Sequence, residues 1–267
     1  MTLTLQEAAD RIGVHYMTVY RWVRTGRLPA VKHGSAWAVD EADLDLLSEP
    51  EPEPARTRRV DHAERMTRRL LAGDEAGAMT VAETALVGGM SPEALYLDVL
   101  AVSMGRIGDS WDAGQASIAE EHRATAIMHR LLGRLSRSFV RRGRRRGTIV
   151  LGAAPGDPHG LPSAFLADPL RGRSFTVIDL GADTPVEAFV DAATASDHLV
   201  AVGITVTLPA DDVVTAAVTA LRAAGVTAPV VVGGRAVPDA GRARALGADG
   251  WAADGWGALE LLSTTPD

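Results

Sequence analysis

The stretch Thr148-Ile149-Val150-Leu151-Gly152-Ala153-Ala154-Pro155-Gly156-Asp157-Pro158-His159-Gly160-Leu161 decides how this chain is read. Its first half is a short apolar run closed by a Pro-Gly pair, the pattern of a strand buried on both faces. Beyond it, Leu161-Pro162-Ser163-Ala164-Phe165-Leu166 reads as a helix start, because a proline in the first turn forfeits no hydrogen bond. Asp157 and His159 therefore fall in the loop at the carboxyl end of a strand. An Asp two residues before a His can accept the proton of one ring nitrogen and leave the other for a metal. A single loop histidine does not establish such a role, so the reading depends on what the rest of the chain brings to the same place.

Downstream, apolar runs and helical patterns alternate. Strands are expected over 148–153, 175–180, 199–205, 229–232 and 250–253, and helices over 162–171, 185–195, 210–224, 239–246 and 257–263. Five such units predict a parallel sheet covered on both faces, a Rossmann-like or flavodoxin-like domain spanning 147–267. With strand order 2-1-3-4-5, ligands bind beyond the carboxyl ends of the strands at the switch point between the first and third. The third strand ends in Thr205-Val206-Thr207-Leu208-Pro209 and the fourth in Gly233-Gly234-Arg235. A candidate metal ligand, two hydroxyls and a glycine pair would then line one crevice, the glycines allowing a ligand close to the backbone.

Upstream, residues 60–146 are helical in pattern. Expected helices are His62–Ala72, Glu75–Val87, Glu93–Asp109 and Ile118–Val140, with breaks at Gly73, at Gly88-Gly89-Met90-Ser91-Pro92 and at Gly114. Four helices with short connections predict an antiparallel bundle. The run Arg141-Arg142-Gly143-Arg144-Arg145-Arg146 reads first as a solvated linker and second as a phosphate or DNA patch. Residues 49–59 begin with alternating Glu and Pro, a composition that favours an extended spacer. Residues 1–48 form a further domain. It has an apolar-spaced helix Leu5–Ile12, a turn at Gly13-Val14, a second helix His15–Arg24, a hairpin turning at Gly34 and a helix from Asp40 to Leu47. The whole is thus multidomain, α followed by α/β.

Composition narrows the function classes. The 267 residues are 46% apolar and 23% charged, ordinary for globular domains, and contain no cysteine, which excludes disulfides, thiolate metal sites and a cysteine nucleophile. No leader-like or bilayer-length apolar run is present, so a soluble cytoplasmic protein without membrane association is expected. A net charge of −7 does not advertise nucleic-acid binding, which must rest on local features.

Two segments carry family resemblances. Leu5-x-Glu7-Ala8-Ala9, Val14-x-x-x-Thr18-Val19-x-Arg21-Trp22 and Gly26-x-Leu28-Pro29-Ala30 resemble the excisionase branch of the MerR-related winged helix-turn-helix proteins. The resemblance implies operator DNA as partner, with Tyr16, Thr18 and Arg21 in the major groove and Arg24, Arg27, Lys32 and His33 near phosphates. The strand-end loops resemble the cobalamin-binding domain family, whose motif is Asp-x-His-x-x-Gly, Ser-x-Leu and Gly-Gly. Here these are Asp157-x-His159, Thr205-x-Thr207 and Gly233-Gly234. The resemblance implies that His159 ligates cobalt from below and that Asp157 orients it. Thr205, Thr207, Leu208, Gly233 and Gly234 would line the path of the nucleotide tail. The sequence departs from the motif at Pro162, Thr205 and Thr207.

The bundle adds Trp111, nine intervening residues, then Glu121-His122, which resembles the light-sensing cobalamin regulators of the CarH and LitR type. That resemblance places Trp111, Ile118, Glu121 and His122 over the upper face of the corrin, beside a 5′-deoxyadenosyl group. The alternative reading of the same residues is a core aromatic and a solvated helix face. Where some members of that family carry a His directly after the Trp, this chain has Asp112. The implied protein is a non-enzymatic transcriptional regulator binding adenosylcobalamin, whose loss of the upper ligand in light changes a homo-oligomer, dimer or tetramer, and with it DNA affinity. Rival readings are a regulator using a bilin or other tetrapyrrole, alone or as a second chromophore beside cobalamin, a corrinoid methyl-transfer module, and a ligand-free dimerisation scaffold.

Overall fold

A computed structural model describes residues 2–12, 19–20, 22–23, 28–33, 36–41, 43–44 and 61–264. The chain divides into two compact units, one up to residue 60 and one from residue 61 onward.

The first unit is built on β1 (Thr2–Thr4), α1 (Leu5–Ile12), β2 (Val31–His33) and β3 (Ala36–Asp40). Helix α1 buries Leu5, Ala8 and Ala9, the spacing of one helical face. Its first turn is closed by Thr4 and Glu7: the Glu7 carboxylate accepts the Thr4 amide at 2.8 Å, and the Thr4 hydroxyl accepts the Glu7 amide at 3.3 Å. The sequence pattern predicts no strand before this helix. Thr2–Thr4 nevertheless pairs antiparallel with β3, Leu3 opposite Val39, and β2 pairs on the other side of β3. The core gathers Leu3, Leu5, Ala8, Ala9, Val19, Leu28, Val39 and Leu44. Of the proposed DNA contacts, Tyr16, Thr18, Arg21, Arg24 and Arg27 lie outside the described residues. Lys32 is exposed on β2, its ammonium 5.9 Å from the Trp37 ring centroid.

The second unit opens with α2 (His62–Leu71) and α3 (Glu75–Val87), each capped by an Asp: Asp61 accepts the Glu64 amide and Asp74 the Gly77 amide, both at 2.8 Å. The third helical run is longer than expected and changes pitch. It comprises α4 (Pro92–Ala94), a π turn (Leu95–Leu100) and α5 (Ala101–Asp112). Next comes α6 (Ile118–Leu135), started by a Ser117–Glu120 capping box; it gives way to a 3₁₀ turn (Ser136–Phe139) instead of running on to Val140. All of Leu95, Tyr96, Leu97, Val99 and Leu100 are buried. A single helical face facing one neighbour could not bury five of six consecutive positions, so this turn serves two neighbours, the bundle and the sheet domain.

The sheet domain comprises β4 (Thr148–Ala153), α7 (Leu161–Gly172), β5 (Thr176–Asp179), α8 (Val186–Thr194), β6 (Leu199–Thr205), α9 (Asp211–Ala223), β7 (Val230–Gly233), α10 (Ala240–Ala245), β8 (Gly250–Ala252) and α11 (Gly255–Ser263). Its five strands are parallel in the order β5-β4-β6-β7-β8, the expected doubly wound arrangement. The pleat sends Ile149 and Leu151 to one face and Val150 to the other. The Ile149 face, covered by Phe165 and Leu170 of α7 and Leu259 and Leu262 of α11, is continuous with the bundle core through Tyr96, Leu100 and Phe139. Bundle and sheet therefore share one core. Arg146 ends the basic run as a structural residue, stacked 4.5 Å from the Phe175 ring centroid and donating to the Ser263 carbonyl at 3.0 Å. Among the described residues no helix is long and apolar enough to cross a membrane.

Candidate cofactor site

The loop after β4 is held from two sides. The Gly156 amide donates to the Asp183 carboxylate at 2.6 Å, and the Asp183 amide returns a bond to the Asp157 carbonyl at 2.7 Å. Gly156 sits at φ 81°, a conformation that costs glycine nothing. Held this way, the Asp157 side chain turns inward and is fully buried. His159 Nδ1 lies 2.7 Å from Asp157 Oδ1, and the imidazole is about half exposed, at 51%. With Nδ1–H donating to the carboxylate, Nε2 is left with its lone pair, and among the described residues it has no hydrogen-bond partner.

The third strand's loop completes the cluster. Thr207 donates its amide to Asp157 Oδ2 at 2.5 Å, and its hydroxyl lies 2.7 Å from Asp157 Oδ1 and 2.7 Å from His159 Nδ1. Burial by itself would push the Asp157 carboxyl up. The Thr207 amide and hydroxyl, with His159, outweigh it and hold the carboxyl below its ordinary value. Thr207, read from the sequence as a departure in the tail-binding motif, is thus the second partner of the Asp that holds the histidine. The expected adjacency of strands one and three brings the two loops together; that Thr207 bonds the Asp157 carboxylate is not written in the sequence. Thr205 is buried at the end of β6, its hydroxyl 3.5 Å from the Gly152 carbonyl, and Leu208 is exposed beyond it.

On the far side, Gly233 ends β7 and its carbonyl accepts the Val206 amide at 2.8 Å. Gly234, at φ 116°, lies so close to the Val206 backbone that a Cβ would strike its carbonyl. At the start of α7, a Cβ on Gly160 would come 3.1 Å from the Ala182 amide nitrogen. Pro162 lies in the first turn of that helix as anticipated. The close approach there is made by Gly160.

This donor set can be tested against a metal. Among the described residues no group of three or more His, Asp or Glu side chains could hold an ion, and the chain has no cysteine. One imidazole with a carboxylate behind it suits a metal that arrives with its other ligands in place, as cobalt does within a corrin ring. The residues fit such a group.

The four residues assigned to the upper face lie on the bundle. Trp111, on the last turn of α5, is 46% exposed, so it is not a core aromatic. Ile118 is exposed at the start of α6. Glu121 Oε2 meets His122 Nδ1 at 2.8 Å, while its other oxygen accepts the Thr125 hydroxyl at 2.7 Å. Among the described residues no hydrogen bond joins these four to His159. The connection between bundle and crevice runs instead through their neighbour Asp112, whose carboxylate meets Arg235 of the Gly233-Gly234 loop at 2.6 Å.

Three segments of the chain match models of known families. Residues 62–136 and 147–262 each match a B12 binding domain, and residues 2–47 match a helix-turn-helix domain. The chain carries B12-binding domains. Trimethylamine corrinoid protein 1 of Methanosarcina acetivorans is 29% identical over 123 residues, 45% of this chain and 57% of that protein. The trimethylamine corrinoid protein of Methanosarcina barkeri is 26% identical over 121 residues, 44% of this chain and 56% of that one. The chain thus spans little more than half the length of these curated relatives. In three dimensions, the monomethylamine corrinoid protein of Methanosarcina barkeri superposes with a TM-score of 0.62 at 18% identity, over 75% of this chain and 96% of that one. That likeness speaks to the fold: a helical B12-binding segment followed by a parallel-sheet one.

Proposed function

We propose that the chain is a DNA-binding regulator that senses light through adenosylcobalamin held at His159, and that it catalyses no reaction. The observation that carries this reading is the buried Asp157 carboxylate fixing one nitrogen of His159 while the other stands bare, in a chain that also carries a helix-turn-helix domain. Bound there, adenosylcobalamin supplies an alkyl–cobalt bond that visible light cleaves. His159 Nε2 would hold the cobalt, and Asp157 with Thr207 keeps the imidazole in the tautomer and orientation that present it. Thr205, Leu208, Gly233 and Gly234 border the path of the nucleotide tail. Trp111, Ile118, Glu121 and His122 would flank the bound cofactor from the bundle side. On loss of the upper ligand in light these side chains would change packing partners, the bundle would shift against the sheet, the homo-oligomer, dimer or tetramer, would change its state of assembly, and avidity for operator DNA would change with it.

The test is the absorption spectrum, light-scattering mass and operator binding of the full chain with adenosylcobalamin, in the dark and after green light. All three should change together, and Trp111→Ala should uncouple mass from illumination. A chain that takes up no corrinoid, absorbs instead as a bilin, or keeps one mass in dark and light overturns the reading. A corrinoid methyl-transfer module is the second reading, favoured by the named corrinoid relatives. It predicts methyl exchange with a partner methyltransferase and operator binding indifferent to corrinoid.

A further inference from the structure

Among the described residues, three side-chain hydrogen bonds join the helices of the bundle to the sheet domain, and they differ in kind. Tyr96 of the π turn donates to Asp168 of α7 at 2.9 Å, and Arg171 meets the same carboxylate at 2.8 Å. This contact is buried, with Phe139 stacked edge-on against Tyr96 at 4.8 Å between ring centroids. Trp256 of α11 donates to Asp98 at 2.7 Å, next to Leu97 packed on Gly255. Both attach the bundle to the helices flanking the sheet. The third, Arg235 with Asp112, is exposed on both sides and reaches the carboxyl edge of the strands.

We propose that Asp112 and Arg235 are a positioning pair that registers the last turn of α5, carrying Trp111, over the Gly233-Gly234 loop, and that the bundle opens at this edge while the Tyr96 junction stays closed. The reason is the inequality of the two contacts. Parting the junction would strip a buried carboxylate of a partner, whereas both ions of the clasp can return to water. Asp112 occupies the position after Trp111 and is committed to Arg235, with Asp109 adding a second negative charge nearby. What lies beneath the edge rests on the cofactor reading above; the clasp does not.

The experiment is hydrogen exchange on the full chain without cofactor, comparing Asp112→Asn, Arg235→Gln and the reciprocal pair Asp112→Arg with Arg235→Asp. Both residues are surface-exposed, so the variants retain the fold. Each single variant should exchange roughly two- to five-fold faster over residues 108–116 and 233–237, the range expected for an exposed pair, and unchanged over 95–100. The reciprocal pair should recover protection. Raising salt should speed exchange in the parent chain and not in the single variants, because the attraction is screened. Unaltered exchange in the single variants, or a reciprocal pair no better than they are, overturns the clasp. In a second arm, hydroxocobalamin uptake followed by absorbance should accelerate by the same factor in the single variants. Absence of any uptake would overturn the cofactor reading while the exchange result still decides the clasp.

Discussion

Replacing Thr207 by valine preserves shape and the backbone amide and removes one hydroxyl. Asp157 receives four hydrogen bonds: from the Thr207 amide at 2.5 Å, the Thr207 hydroxyl at 2.7 Å, the His159 amide at 3.1 Å and His159 Nδ1 at 2.7 Å. A hydrogen bond to a charged group contributes about 1.5–3 kcal/mol, and with three of four donors retained the loss should lie near the lower end, about 1.5 kcal/mol. At a urea slope of roughly 2–3 kcal/mol/M, that moves the unfolding midpoint down by about 0.5–0.8 M. The hydroxyl also lies against His159 Nδ1, so corrinoid affinity should fall about 10-fold, the lower bound for losing a partner behind a metal ligand. Urea titration of the cofactor-free chain and cobalamin titration by absorbance read the two quantities separately. Thr207→Ser restores the hydroxyl and should recover most of both. A valine variant with unchanged midpoint and affinity would refute the reasoning, and equal losses in the serine and valine variants would assign the effect to the methyl group.

Tyr96→Phe should cost about 1.5–3 kcal/mol in chemical unfolding, since it deprives the buried Asp168 of a donor. Burial, and then the Asp168 charge, hold the Tyr96 phenol well above its ordinary value. With the folded value raised, this contribution is whole below about pH 10 and is lost as pH rises further, so the parent chain should lose stability from about pH 10 to 12 more steeply than Tyr96→Phe. Gly234→Ala, forced into positive φ against the Val206 carbonyl, should destabilise by about 1–3 kcal/mol; an unchanged melting temperature would contradict the backbone geometry. His159→Ala should weaken cobalamin binding and leave the benzimidazole-on spectrum of the free cofactor, and unchanged affinity and spectrum would remove His159 as lower ligand.

The doubly wound sheet was legible because its signals are local. Apolar runs ending in Pro-Gly, Thr-Leu-Pro and Gly-Gly mark strands and their carboxyl-end loops wherever they occur in the chain. The strand order then follows from general rules for such sheets, and with it the meeting of His159, Thr207 and Gly233. Strand β1 escaped because three residues carry no period. The π turn escaped because Leu95-Tyr96-Leu97-Asp98-Val99-Leu100 satisfies a helical pattern in either pitch.

Sequence by itself determined the order of the elements, the identity of the histidine and its Asp, and the separate character of the N-terminal unit, since each is written in neighbouring residues. Tertiary structure alone decided which bonds the side chains gathered there make. Thr207 reaches Asp157 across 50 positions and Arg235 reaches Asp112 across 123. Neither distance has a period or a composition attached to it. Such pairs form because a shared core brings two loops of one sheet edge, and the end of one helix, to the same place, and hydrogen bonding then selects whichever polar groups arrive there.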